Sequence, residues 1–506
     1  MLFSELLNIS GFTYNRKTLS DFIVKGLSFD SREINEGYVF FAVKGGKEDG
    51  SIYAETAVKK GAKAIITDML SAESLRTKST LNNINIIVSD NIRKSMAEVS
   101  SVFFEKPSGK LKLIGVTGTN GKTTITYLIK KIIETAGYKC GLIGTVDYCS
   151  GSKHFIKPEA SHLTTPDSVE INYMLNDMLD SGFEYCAMEV SSIGLEYFRV
   201  HKLNFDTAIF TNLTSEHMDL HRNMENYFNA KKILFDGLND KSKAISNMDD
   251  EYGADILAGC QAVQTYYSIN SDSDFRADNV IINLNGLKFD LHSAGKRREI
   301  VSPLTGRFNV YNILAAIACC VNLGIDLDVI ISGIRKFEAV KGRFNKIILP
   351  NNSCAIIDYS HTSDSLKNAI EAAIEVRKNE EIKGRVITIF GCGGNRDRTK
   401  RPVMGSIATE LSDYVIITSD NPRFENPNDI INEIKSGIKK NTFKNANYDI
   451  EPDRDAAIKK GIEMSKEGDI ILICGKGHET YQEIGGIKSH FDDKEVVIKY
   501  ESLVKF

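Results

Sequence analysis

The segment Gly118-Thr-Asn-Gly-Lys-Thr-Thr124 constrains this chain more than any other stretch of it. It follows the apolar run Leu111 to Val116, which reads as a buried strand. It leads into residues with apolar side chains at 125, 128, 129, 132 and 133, the spacing of a helix facing a core. Gly137 comes just after the last periodic residue, where a C-terminal cap is expected. A glycine turn between a buried strand and a helix N-terminus aims backbone N–H groups at one spot, and that spot favours phosphate. Lys122 is placed to reach terminal phosphates and Thr123 to ligate magnesium. Only Thr119 and Asn120 separate Gly118 from Gly121, where the standard loop has four residues. A structural turn is the alternative, but a lysine at the helix start beside Thr123 and Thr124 favours nucleotide. ATP and GTP are both open at this point.

At 506 residues the chain is too long for one core, and about three domains are expected. Residues 1–108 carry short apolar runs, Tyr38 to Val43 and Ala62 to Thr67, between helical segments, and read as a small α/β unit. In residues 109–339 the strand-like runs Tyr185 to Val190 and Thr207 to Thr211 alternate with helical ones, which predicts a doubly wound nucleotide-binding domain. Residues 340–506 repeat the theme with AIIDYS, RVITIFG, YVIITSD and DIILICG. Each run ends in polar or glycine residues, and open parallel sheets bind ligands at the carboxyl ends of their strands. The fold class expected is α/β throughout.

Composition removes several functions. Sixty-three basic against sixty-seven acidic residues leave a net charge of −4, with no global field to hold a nucleic acid backbone. The longest apolar run, Ile313 to Leu323, is too short to cross a bilayer, so no membrane association is expected. The opening MLFSELLNIS has Glu5 within its apolar stretch and lacks a basic leader, unlike a secretory signal. Nine cysteines occur without CxxC pairs, as reduced thiols would, and a cytoplasmic location is expected.

Beyond the loop, a series of motifs runs along the chain: MEVSS at 188–192, TNLTSEHMDLH at 211–221, YFNAKKILF at 227–235, GRFNVYN at 306–312, KGR at 341–343 and DYSH at 358–361. Together with Asp30-Ser31-Arg32 and GKGHE at 475–479, in this order and spacing, they resemble the Mur ligase family over essentially the whole chain. The resemblance implies three domains: UDP-binding, P-loop ATPase-like and Rossmann-like. Within the family, FGCGGNRD, SDNPR and GKGHE resemble the members that use ATP to join meso-diaminopimelate to a UDP-N-acetylmuramoyl dipeptide. L-lysine or another diamino acid, a divergent paralogue and a non-catalytic nucleotide-binding scaffold are the alternatives, and a monomer is expected.

The resemblance also assigns roles. Two magnesium ions are implied, one held by Thr123 and the other by Glu189, His217 and a carbamylated Lys231. A carbamate turns a lysine cation into an anionic oxygen ligand, and magnesium prefers oxygen. Read alone, Lys231 beside Lys232 is a solvated charge, Glu189 a structural carboxylate, and His217 interchangeable with His221. Asn309 and Asn312, in a loop before the helix YNILAAIACC, lie near the nucleotide by the resemblance, or else cap that helix. Arg343, Asp358 and His361 reach ATP from the last domain on closure, or else pack an interface. Tyr359 belongs to the same strand-end motif. Arg396, Asp420, Asn421, Pro422, Arg423, Gly475 and Glu479 match the amino-acid pocket, where Arg423 would read a distal carboxylate and Glu479 a distal ammonium. DNP is also a good turn sequence. Ser31 would contact the uridine nucleotide, and Thr164, Thr165, Ser191 and Arg199 the muramoyl peptide. Ile193, Tyr197, Glu216, Asn345 and Ser363 depart from the family pattern.

Overall fold

The computed structural model describes residues 1–12, 14, 19–45, 48–151, 163–216, 218–380, 383–438 and 447–504. Its first sheet has four parallel strands in chain order, Gly26–Ser28, Tyr38–Phe41, Ala62–Thr67 and Asn85–Val88. The run YVFF is apolar throughout because both faces are covered. Val39 and Phe41 join one buried cluster and Phe40 another.

The second sheet has ten strands. Seven are parallel, in the order Phe275–Asn283, Val263–Ser268, Lys243–Asn247, Thr207–Phe210, Lys112–Thr117, Tyr185–Glu189 and Cys140–Ile143. Tyr148–Cys149 extends one edge antiparallel, and Gly286–Ser293 with Lys296–Ser302 the other. Strand Lys112–Thr117 sends Ile114 and Val116 to one core and Leu113 to the opposite one. Helix Lys122–Thr135 follows it and buries Ile125, Leu128, Ile129, Ile132 and Ile133 against the first of these cores. Gly137, at φ +91°, closes that helix with its N–H on Glu134 O. After Lys112–Thr117 the chain lays strands first on one side of it and then, from Thr207–Phe210 onward, on the other. Such a reversal opens a crevice at the carboxyl ends, and the glycine loop lies there.

The third sheet has six strands, ordered Asn345–Ile348, Cys354–Asp358, Ile470–Cys474, Val386–Phe390, Tyr414–Ile417 and Tyr448–Ile450. All but the first are parallel to their neighbours. The last strand in sequence, Ile470–Cys474, fills the gap between Cys354–Asp358 and Val386–Phe390. This sets Asp358, Gly391 and Gly475 side by side at one end of the sheet. A hairpin, Tyr481–Ile484 with Ile487–His490, follows. No described helix is long and apolar enough to cross a membrane.

One local expectation is corrected. Asn309 and Asn312 do not lie in a loop before a helix; they are inside helix Arg307–Asn322, which starts after Gly306 without a side-chain cap. Gly306, at φ +89°, turns the chain into the helix, so the asparagines are free for other contacts.

Candidate functional site

The glycine loop is braced from the neighbouring strand end. Thr119 N–H donates to Asn212 O and Asn120 N–H to Asn212 Oδ1, both at 2.9 Å, while Thr211 Oγ1 donates to Asn120 O at 2.6 Å. Gly118 sits at φ +145°, and a Cβ there would lie 1.8 Å from Thr211 Oγ1. Gly118→Ala is therefore expected to destabilise the protein by about 1–3 kcal/mol, read as a lower thermal midpoint. An unchanged midpoint would mean the loop is not held by Thr211.

Two lysines meet on one carbonyl. Lys122 Nζ donates to Gly118 O at 2.8 Å and to Thr119 O at 2.7 Å. Lys231 Nζ, from helix Met224–Asp236, donates to the same Gly118 O at 2.9 Å. Lys231 is only 1% exposed, and burial first, then the Lys122 charge, holds its amine far below the ordinary lysine value. Burial also lowers Lys122, against the opposing charges of Glu216 and Glu189. Lys231 is thus no solvated surface charge.

Glu189 ends strand Tyr185–Glu189 and is buried. Its Oε1 accepts from the Thr123 hydroxyl at 3.0 Å and from Thr145 N–H at 2.8 Å, and Thr145 Oγ1 lies 3.0 Å from Oε2. His217 lies outside the described residues. His221 is buried with its Nε2 2.9 Å from Ser192 Oγ and its ring stacked on Tyr227 at 4.8 Å, a structural position. Among the described residues no group of three or more His, Cys, Asp or Glu is arranged to hold a metal ion.

Side chains from the third sheet reach this loop. Arg343 Nη2 donates to Thr123 Oγ1 at 3.2 Å, and its guanidinium lies 4.6 Å from the centre of the Tyr359 ring. Asp358 fixes the turn that carries Arg343, accepting from Phe344 N–H at 2.7 Å and from Ser360 N–H at 3.0 Å. Burial raises the Asp358 carboxyl, and hydrogen bonds from Ser360 and the charge of Arg343 oppose that rise. Asp364 Oδ2 accepts from Asn120 Nδ2 and from the Thr214 hydroxyl, both at 2.9 Å. His361 Nδ1 lies 2.8 Å from Tyr359 O, and its Nε2 lies 3.8 Å from Glu216 Oε1. Asn312 Nδ2 donates to Asn309 Oδ1 at 2.8 Å, and its own Oδ1 stands where a Cβ on Gly121 would lie 2.5 Å away.

A second group continues from Glu189. Thr165 Oγ1 donates to Glu189 O and accepts from Ser191 N–H, both at 2.9 Å. Thr164 Oγ1 lies 3.1 Å from Thr145 Oγ1, and Arg199 Nη1 donates to Thr165 O at 2.9 Å. Arg199 Nε is 3.3 Å from Asp167 Oδ1, so the best cation of this group already carries an internal partner. Tyr197 is covered on one face by Arg93, whose guanidinium lies 4.7 Å from the ring centre. Ser31 is buried in the turn after Gly26–Ser28.

The third group lines the carboxyl ends of the third sheet. Gly475, at φ +117°, allows Asp420 Oδ2 to approach; a Cβ there would be 2.3 Å from that oxygen. Asn421 Nδ2 donates to Glu479 Oε2 at 2.8 Å, and Asn421 Oδ1 accepts from Lys476 Nζ at 3.1 Å. Arg423 Nη1 donates to Gly394 O, the residue whose added Cβ would press on Pro422 O. Arg423 Nε is also 3.6 Å from Glu483 Oε2. Arg396 is exposed and bonds only its neighbour Asn395 O among the described residues. Thr145, Asp364 and Lys476 were not among the residues singled out from sequence. Lys476 lay inside the GKGHE motif, and its neighbours' spacing could have pointed to it.

Family models match three segments: residues 23–102 as "Mur ligase family, catalytic domain", 116–320 as "Mur ligase middle domain", and 342–477 as "Mur ligase, glutamate ligase domain". Proteins named UDP-N-acetylmuramoyl-L-alanyl-D-glutamate–2,6-diaminopimelate ligase are similar along nearly the full length. That of Clostridium acetobutylicum is 41% identical over 480 residues and that of Clostridium perfringens 43% over 484, each alignment covering 94% of both chains. A solved structure with the same name superposes with TM-score 0.64 at 32% identity, covering 95% of each chain. A MurF ligase of Thermotoga maritima, solved with ADP, shares the fold at TM-score 0.65 and 17% identity, covering 95% of this chain and 98% of its own. Similarity of this extent, running through all three segments, shows that the chain belongs to the Mur ligase family.

Proposed function

We propose that this protein uses ATP to join meso-diaminopimelate to UDP-N-acetylmuramoyl-L-alanyl-D-glutamate in peptidoglycan precursor synthesis, in the cytoplasm and as a monomer. The names of relatives above 40% identity support this reading. The observation that carries it is the contact of Arg343 with Thr123, which brings the pocket-bearing third sheet against the phosphate loop. Residues 1–108 would hold the uridine nucleotide, 109–339 the ATP and 340–506 the amino acid.

Lys122 and the N–H groups of Gly118 to Thr124 would bind the β- and γ-phosphates, and Asn309 and Asn312 would back the loop. The dipeptide carboxylate, oriented by Thr164, Thr165, Ser191 and Arg199, would attack the γ-phosphorus and give an acyl phosphate and ADP. Arg343, held by Asp358 and Tyr359, would stabilise charge on the transferring group. Closure by this residue and His361 would exclude water, which protects the acyl phosphate from hydrolysis. The α-amine of the amino acid, presented by Arg396, Asn421, Arg423 and Glu479, would then displace phosphate.

The residues present fit magnesium. Thr123 and Glu189 are oxygen donors 3.0 Å apart in a buried setting, and Gly144 leaves room beside Glu189, where a Cβ would be 2.5 Å from Oε1. Lys231 fits carbamylation because its amine is dry and held far below the ordinary value. With His217 these groups would hold two magnesium ions, which would supply charge screening between the two anions.

The test is phosphate release from ATP with purified protein, magnesium and the muramoyl dipeptide, offering meso-diaminopimelate, L-lysine or no amino acid, with product mass recorded. Release and a matching mass gain with diaminopimelate alone are expected. Turnover with L-lysine alone would overturn the amino-acid assignment, and ATP binding without turnover would leave a scaffold.

A further inference from the structure

Lys476 has no role in the assignment above, yet it is the most enclosed charge of the third group. It follows Gly475 at the end of strand Ile470–Cys474, and its side chain is 0% exposed. Nζ donates to Asn421 Oδ1 and to Glu479 Oε2, both at 3.1 Å, and lies 5.4 Å from the centre of the Tyr481 ring. Asn421 Oδ1 also accepts Glu483 N–H at 3.0 Å, and Asn421 Nδ2 turns to Glu479 Oε2. The amide is thereby fixed in one orientation. Of the two Glu479 oxygens, Oε2 is taken by Asn421 and Lys476, while Oε1 has no hydrogen bond among the described residues.

We propose that Lys476 determines specificity in the amino-acid pocket: its buried ammonium ties Glu479 and Asn421 together and sets the pocket's charge to suit a distal group that is a zwitterion, not a bare cation. This rests on the function proposed above and deepens it. The charge balance carries the argument. Asp420, Glu479 and Glu483 supply three carboxylates, and Lys476, Arg423 and Arg396 supply three cations. Tyr481 stands among them, within the fields of Glu479, Arg423, Glu483 and Asp420. Arg396 and Arg423 converge beside Gly393, where a Cβ would be 3.8 Å from Arg396 Cγ and 2.9 Å from Arg423 Nη1. A balanced pocket gains most from a ligand that brings one carboxylate and one ammonium together. A ligand bringing ammonium alone leaves the arginines unmatched and competes with Lys476 for Glu479. Without Lys476 the pocket becomes one unit more negative, and the preference moves toward the bare cation.

The position also explains why an ammonium is needed and not merely a hydrogen-bond donor. Glu479 is raised by burial and by Asp420, and the Lys476 charge opposes both. A neutral donor could hold the geometry but would leave the partly buried Glu479 and the buried Asp420 without a cation to oppose their mutual repulsion.

The experiment measures kcat/KM for meso-diaminopimelate and for L-lysine in the full-length protein, the Lys476→Met variant and the Lys476→Gln variant. ATP binding and thermal midpoint serve as controls of folding. Both variants are expected to lose at least about tenfold in the ratio favouring diaminopimelate. Equal loss with both amino acids, or selectivity kept in Lys476→Gln, would overturn the proposal. If Lys476→Met does not fold, Lys476→Gln alone decides, and if neither folds the lysine is structural and the proposal fails. An unsubstituted protein that turns over neither amino acid overturns the function itself. One that uses diaminopimelate while its variants keep full selectivity overturns only the role of Lys476.

Discussion

Replacing Lys231 with alanine is expected to cut ATP-dependent phosphate release by about 10³-fold, and 13C-labelled bicarbonate is expected to give a carbamate resonance with the unsubstituted protein but none with the variant. The reason is the environment of the amine. It is buried, and its acceptor Gly118 O is shared with the Lys122 ammonium. Two cations on one carbonyl in a dry site repel, so the amine of Lys231 gives up its proton readily. A neutral amine would add CO2 through a new N–C bond and release one proton to solvent, and the resulting carbamate anion would exchange repulsion of Lys122 for attraction. The sign in pH follows from the lowered value. The amine is neutral above its folded-state pKa, so the carbamate signal should grow as pH rises through that value. Between the folded and unfolded values the folded state binds fewer protons, so this group's contribution to stability also rises with pH in that window. A resonance surviving in the alanine variant, or one absent from the unsubstituted protein, would remove Lys231 from the proposed magnesium site.

The second large effect concerns the fold under the proposed amino-acid pocket. Asp493→Ala is expected to destabilise the protein by about 3–5 kcal/mol, read as a fall in the calorimetric midpoint of the transition that includes the third sheet. Arg454 and Asp493 are both 0% exposed and paired twice, Nε to Oδ1 and Nη2 to Oδ2, each at 2.8 Å. The guanidinium also donates to Cys474 O at 3.0 Å, just before Gly475. Removing Asp493 leaves a buried cation with one good acceptor. Replacing both partners, as Arg454→Met with Asp493→Leu, removes the stranded charge and should lose far less. Equal losses in the single and double variants would mean that packing, not charge, sets the stability here.

What the sequence discloses of this molecule depends on how local the cause is. Strands covered on both faces, such as Ala62–Thr67 and Ile470–Cys474, stand out as unbroken apolar runs. The edge of the second sheet at residues 275–302 does not, because strand Phe275–Asn283 alternates buried and exposed positions irregularly around a bulge. Asn309 and Asn312 misled because asparagine near a helix start resembles a cap, whereas this helix opens on an uncapped glycine. The site divides in the same way. The glycine loop is one continuous segment, so its residues could be named together. Thr145 meets Glu189 across 44 positions and Asn120 meets Asp364 across 244, and no spacing rule connects residues so far apart. His217 could be named only from its motif, and it lies outside the described residues.

Asp364 has a thermodynamic consequence of its own. Its carboxylate takes hydrogen bonds from Asn120 and Thr214 at the mouth of the phosphate loop, as a ligand's anionic oxygen would. An anion that needs Asn120 must first displace it, and its apparent affinity falls by the fraction of molecules in which that contact is made. By reciprocity, whatever holds the third sheet away from the loop tightens binding there, and a bound anion loosens the sheet's hold on Asn120. The chain thus places a carboxylate of its own where an incoming anion would need Asn120.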